Sequence, residues 1–174
     1  MSKELSELLS LFKKQKYSIA EKKCLNLIKK IKPNYEIFNI YAVILFELNK
    51  YDEAIKYWKK TTELNPQYHF GYNNLGNVFL KKKNFKEALD CYDKAIKVKP
   101  DYYEAHYNKG HVFTEIKDFK NAVKSFDKVI EIKDDYIPAL KAINQFHIKE
   151  NKLSKALNLL EKLIIYEPDN DNLY

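Results

Sequence analysis

The chain has 174 residues, 45% of them hydrophobic and 32% charged, with only 3 glycines and 5 prolines, which points to a soluble, ordered, helical chain and away from a turn-rich all-β fold. Its formal charge is +7 and all 31 basic residues are lysine; arginine, the residue suited to bidentate contacts with guanine or phosphate, is absent, which argues against sequence-specific nucleic-acid reading. No apolar run approaches the roughly 18 residues of a membrane-spanning helix.

In chain order, the opening "MSKELSELLSLFKKQ" mixes acidic and polar residues into its apolar stretch, so it is not a signal peptide. Its Glu4, Glu7, Ser10 and Lys14 form a polar stripe suited to an end that faces water. The first 34 residues carry 9 lysines and 3 acids, a balance of +6, against +1 for the remainder. The segments "KKQK" and "KKIK" read as a solvated outer face. The alternative, attraction to a membrane or nucleic acid, would be detected as binding by 1–34 at physiological salt. Cys24 and Cys91 are isolated and form no metal pattern, which suits a reducing, cytoplasmic location.

A period of 34 then governs the chain. Alanine recurs at Ala20, Ala54, Ala88, Ala122 and Ala156, although the chain has only 10 alanines. Large apolar residues precede each by three positions: Tyr17, Tyr51, Phe85, Phe119 and Leu153. Pro66, Pro100 and Pro168 keep the same register. In the third unit the spacing predicts a helix over about 69–82, a break at "KKNF", and a second helix over about 86–98 that "KP" ends. Phe85, Ala88, Leu89, Tyr92, Ala95 and Ile96 make one apolar stripe on that second helix. Gly76, costly inside a helix, has the small equivalents Ala42 and Gly110; facing small second-helix residues such as Ala88, it would let paired helices approach closely. The fold class predicted is all-α: helix pairs stacked as an α-solenoid.

The stretches "YNNLGNVF…NFKEALDCYDKAIKVKP" and "HYNKGHVF…DFKNAVKSFDKVIEIKDD" resemble the tetratricopeptide repeat (TPR) family, with "IYAVILFELNKYDEAIKYWKKTTELNP" a good third match. The resemblance covers five units in a single array over 1–170, divided as 1–34, 35–68, 69–102, 103–136 and 137–170; the outer two diverge, with Asn144 and His147 departing from the pattern. It implies a right-handed superhelix whose first helices line a concave groove, and a non-catalytic protein-interaction scaffold that holds an extended peptide or a partner helix.

By the same resemblance the groove residues include Asn39, Val43 and Phe46, then Asn73, Asn74, Asn77 and Lys81. Tyr107, Asn108, His111 and Glu115 follow, and then Lys141, Gln145 and Lys149. An asparagine amide donates and accepts as a peptide unit does, so Asn74 and Asn108, 34 apart, could grip an extended backbone; the alternative is that they solvate a helix or bond the adjacent turn. The TPR arm of O-linked N-acetylglucosamine transferase has a similar ladder. The lysine clamp that some family members use for chaperone C-termini is not matched, since Asn39 or Asn73, and Glu104 or Pro138, occupy its positions.

No catalytic, cofactor or metal constellation stands out. His106 and His111 are five apart and lack a nearby Cys or acid at ligand spacing, and no serine or cysteine has a nucleophile setting. The last helix carries Leu157, Leu160, Ile164 and Ile165 with no solvating helix after it, and "DNDNLY" reads as a tail or the start of a sixth unit at 171–174. Three outcomes are open for that end: a longer chain, a homodimer through it, or cover by the tail. The first would make this the amino-terminal, substrate-presenting arm of a modifying enzyme such as a glycosyltransferase or sulfotransferase.

Overall fold

The 34-residue register becomes helix pairs through two recurring turns. A computed structural model describes residues 3–30 and 34–167. Pro168 and the proposed sixth-unit start at 171–174 lie outside the described residues. Among the described residues there are ten α-helices and no strand: α1 (Lys3–Lys13), α2 (Tyr17–Lys30), α3 (Tyr35–Glu47), α4 (Tyr51–Leu64), α5 (His69–Lys81), α6 (Phe85–Val98), α7 (Tyr103–Glu115), α8 (Phe119–Ile132), α9 (Ile137–Lys149) and α10 (Leu153–Tyr166). The third pair thus runs within a residue or so of the bounds its spacing predicts.

The turn inside each pair uses one left-handed residue: Gln15, Asn49, Lys83, Lys117 and Asn151, with φ of 54, 59, 59, 62 and 54°. These positions are 34 apart and none is glycine. Each first helix closes by a Schellman-type bond spanning five residues, as when the Lys50 N–H donates to the Leu45 carbonyl at 2.8 Å. The same bond recurs from Asn84 to Phe79 at 2.8 Å, Asp118 to Phe113 at 2.8 Å and Lys152 to His147 at 2.8 Å. Between pairs the chain turns through "NPQY", "KPDY" and "KDDY", whose tyrosines Tyr68, Tyr102 and Tyr136 are the N-caps of α5, α7 and α9.

The helices form two compact units, Met1–Val98 and Lys99–Tyr174. Within each, every helix packs on its neighbours in sequence, the stacking expected of an α-solenoid. All five register alanines are buried, from 0% to 3% exposed. In the first unit Trp58, Tyr92, Leu45 and Ile44 fill the interior, and in the second Phe126, Val129 and Leu140 do. None of these helices would be stable alone at 11–14 residues, so burial of the stripes carries the fold.

The close approach at Gly76 has a different partner from the one its spacing suggests. A Cβ there would lie 2.4 Å from Cε1 of Tyr92, and one at Gly110 would lie 2.5 Å from Cε1 of Phe126. The hole holds the ring four residues after the register alanine, not the alanine itself. Ala88 is buried as well, so the small pair and the ring share the crossing. No described helix is long and apolar enough to cross a membrane.

Candidate functional site

In the first unit, α3, α4 and the start of α5 meet at a hydrogen-bonded cluster. The Trp58 Nε1–H donates to Asn39 Oδ1 at 3.0 Å. Asn74 Nδ2 donates to the same oxygen at 3.4 Å. Asn39 Nδ2 in turn donates to the Tyr68 hydroxyl at 3.2 Å. Trp58 is only 2% exposed, so its N–H needs an acceptor, and Asn39 supplies it while spending its own amide on Tyr68. Asn74 is left half-buried, and among the described residues its carbonyl oxygen carries no hydrogen bond.

Apolar groups lie beside this cluster. Phe46 on α3 packs against the rings of Trp58 at 5.9 Å and Tyr51 at 5.5 Å, and Val43, one turn earlier, is half-buried with it. On α5 Asn77 accepts from the Tyr92 hydroxyl at 2.9 Å, and Lys81 is exposed at the helix end. Asn73 is buried at 5% exposure, on the core side of α5. Burial pushes the Tyr68 hydroxyl above its ordinary value, with smaller contributions from Tyr35 and Glu36, so it stays protonated at neutral pH.

In the second unit the equivalent positions are aromatic. Tyr107 packs against Phe126 at 5.6 Å, against Tyr136 at 5.1 Å and edge-on to His111 at 4.5 Å. His111 also meets Phe126 at 5.7 Å, and its burial lowers its pKa, which keeps the imidazole neutral at pH 7. Asn108 is half-buried on α7. On α9, Lys141 pairs with Glu167 at 2.6 Å and Gln145 is exposed. The candidate residues therefore divide. Asn39 and Asn74 join one bonded group in the first unit, Asn77 accepts from Tyr92, Tyr107 and His111 form one aromatic group in the second unit, and Lys81 and Gln145 stand at the surface.

Trp58, Tyr68 and Tyr136 belong to these groups and were not among the groove residues expected from the sequence. The tyrosines carried a signal, since Tyr68, Tyr102 and Tyr136 recur 34 apart just after each inter-pair turn. Among the described residues no group of three His, Cys, Asp or Glu is placed to hold a metal ion. Burial raises Cys24 to about 12 and Cys91 to about 11, so both remain thiols rather than nucleophilic thiolates at neutral pH.

Models of the tetratricopeptide repeat match residues 70–102 and 103–136, and a related TPR repeat model matches 43–83. No curated protein sequence matches. Among solved structures, MamA 41-end from Desulfovibrio magneticus RS-1 is similar at 17% identity and a TM-score of 0.82, over 97% of this chain and 95% of that one. TTC0263, a thermophilic TPR protein in Thermus thermophilus, is similar at 19% identity and 0.73, over 98% and 93%. YrrB, a TPR protein with an unusual peptide-binding site, is similar at 21% identity and 0.71, over 86% and 77%. At these identities the likeness is one of fold.

Proposed function

Because the chain belongs to the tetratricopeptide repeat family, a family of protein-interaction scaffolds, we propose that it is a non-catalytic scaffold whose α3–α5 face holds an extended peptide. The observation that carries this reading is Asn74. Its amide is oriented by Asn39, its carbonyl has no hydrogen bond among the described residues, and it stands on the half-buried face that also presents Asn77 and Lys81. A fixed carbonyl acceptor beside the apolar side chains Val43 and Phe46 suits a peptide whose backbone N–H is read while one of its side chains packs. YrrB, described as having an unusual peptide-binding site, offers a parallel for that use of the fold. Burial keeps both cysteines as thiols at neutral pH, and a reducing cytoplasm suits two such buried thiols.

The test is selection of peptides from a random display library against the purified chain, followed by Asn74→Ala. Loss of about tenfold in affinity for the selected peptide, matched by N-methylation of one peptide amide, supports the reading. Unchanged affinity in Asn74→Ala, with the helical content intact, defeats it.

A further inference from the structure

Two pairs of tyrosines in this chain have the same geometry and different occupants. In the second unit the rings of Tyr103 and Tyr136 stand 5.1 Å apart at 59°. Lys133 Nζ lies over both, 5.2 Å from the Tyr103 centroid and 5.7 Å from that of Tyr136. Glu104 follows Tyr103 in the chain, and its negative charge helps raise the pKa of both the Tyr103 and Tyr136 hydroxyls. This is a small cage of two π-faces, filled by the chain's own ammonium group.

In the first unit the rings of Tyr35 and Tyr68 stand 5.1 Å apart at 57°. Glu36 occupies the place of Glu104 in the register, and the Tyr35 hydroxyl donates to its Oε1 at 3.4 Å. The residue in Lys133's place is Asn65. The backbone starts the two side chains alike: Lys133 has φ −142° and ψ 94°, Asn65 has φ −138° and ψ 89°, and each donates its N–H to the carbonyl four residues back. Asn65 is too short to reach the rings, and its Oδ1 is held by the Gln67 N–H at 3.1 Å. Among the described residues no cation of the chain lies over Tyr35 or Tyr68, and both rings are half-exposed. The Tyr68 hydroxyl is fixed by Asn39, which ties this pair to the bonded cluster on the proposed peptide-binding face.

We propose that Tyr35 and Tyr68 form a cage that takes a lysine side chain from a partner protein, in the position Lys133 fills in the second unit. The cage refines the peptide-binding reading by naming one side chain of the partner. Its test needs no partner, so either idea can fail while the other stands.

The probe is N-acetyl-lysine amide, with its Nε-acetylated form as the neutral isostere, titrated against chain carrying labelled tyrosine rings and followed by NMR. The expected result is a saturable shift of the Tyr35 and Tyr68 ring signals, with the neutral form binding at least about fivefold more weakly. Asn65→Lys should fill the cage from within and abolish the response. Lys133→Asn should empty the second cage, so that Tyr103 and Tyr136 begin to respond. Equal shifts from the charged and neutral probes, a response that survives Asn65→Lys, or silent Tyr103 and Tyr136 in Lys133→Asn would each overturn the proposal.

Discussion

Repeats 35–68 and 103–136 place the same backbone around opposite chemistry. Where the first has Trp58 and Asn39, the second has Phe126 and Tyr107, at matching register positions. In the first an indole N–H is satisfied by an amide, which is itself completed by a tyrosine hydroxyl. In the second a ring with no donor is packed by Tyr107 and His111 edges. The pairs change together because each half constrains the other. A buried indole N–H without an acceptor costs about 1–3 kcal/mol, and an amide pressed against Phe126 would lack a donor. Asn39 is thus engaged inside the fold, while Asn74 next to it is half-buried.

The sharpest way to break this comparison is to exchange one half of a pair. Asn39→Tyr should cost about 3 kcal/mol, since it strands the Trp58 N–H and forces a larger side chain into a site shaped for an amide. Trp58→Phe alone should cost about 2 kcal/mol, leaving Asn39 Oδ1 with only the long bond from Asn74. The double variant reproduces the Tyr107–Phe126 pairing and should recover about 1.5 kcal/mol relative to the sum of the single changes. Urea denaturation followed by circular dichroism measures all three. Strict additivity would mean that the two positions are not coupled.

A second change tests the helix crossing of the repeat between 35–68 and 103–136. Gly76→Ala removes a helix-propensity penalty of about 1 kcal/mol, yet the new Cβ would stand 2.4 Å from the Tyr92 ring. That ring is fully buried and its hydroxyl is bonded to Asn77, so it cannot swing aside freely. The net result should be destabilisation by about 2 kcal/mol, read from the urea midpoint. Gly110→Ala should behave alike against Phe126, whereas Gly71→Ala, whose nearest contact is the Thr62 methyl at 3.0 Å, should cost less. A stabilised Gly76→Ala would show that helix propensity, not ring packing, governs the position.

Gly76 also shows how far the sequence could be read. A period of 34 identifies equivalent residues, so the need for a small side chain at 42, 76 and 110 was legible, and so were the helix bounds. Which atom fills the hole was not, because the register cannot say which ring turns into the gap. For the same reason Asn39 was recognised only as a first-helix amide. Its bond to Trp58 crosses from α3 to α4 and depends on how the two helices are rotated. Asn73 and Asn74 are neighbours in sequence, yet one points to the core and the other to the surface. Propensity cannot distinguish them, whereas the 100° step of the helix does once the buried face is known.

The fourth small-residue position breaks the pattern, and this makes it a place to gain stability. Asn144 occupies it in α9, with Leu160 in place of the ring. Its side chain is buried and, among the described residues, Oδ1 has no hydrogen-bond partner. Asn144→Ala removes a stranded acceptor and restores the residue found at Ala42, so it should stabilise the second unit by about 1 kcal/mol. A midpoint that falls instead would mean that Asn144 is satisfied in solution.

The smallest expected effect concerns the turns inside the helix pairs, which agree in backbone and differ in residue type. Asn49 and Asn151 tolerate a positive φ because a short amide can bond locally, whereas Lys83 and Lys117 hold φ of 59° and 62° with a long side chain that gains nothing there. All four residues close a first helix through the same pattern of backbone bonds, so the conformation is imposed by the pair and the residue must comply. Glycine adopts that conformation without the Cβ clash, at the cost of a more flexible unfolded chain. Relief of the left-handed strain should exceed that entropy, so Lys83→Gly and Lys117→Gly should each raise stability by about 0.5–1 kcal/mol. The two gains should add, because the sites are 34 residues apart and share no bonding partner. Thermal unfolding would read them as small upward shifts, and Lys→Asn at the same sites should give part of each gain. No shift in either glycine variant would mean that the Cβ strain is already relieved by the Schellman-type closure.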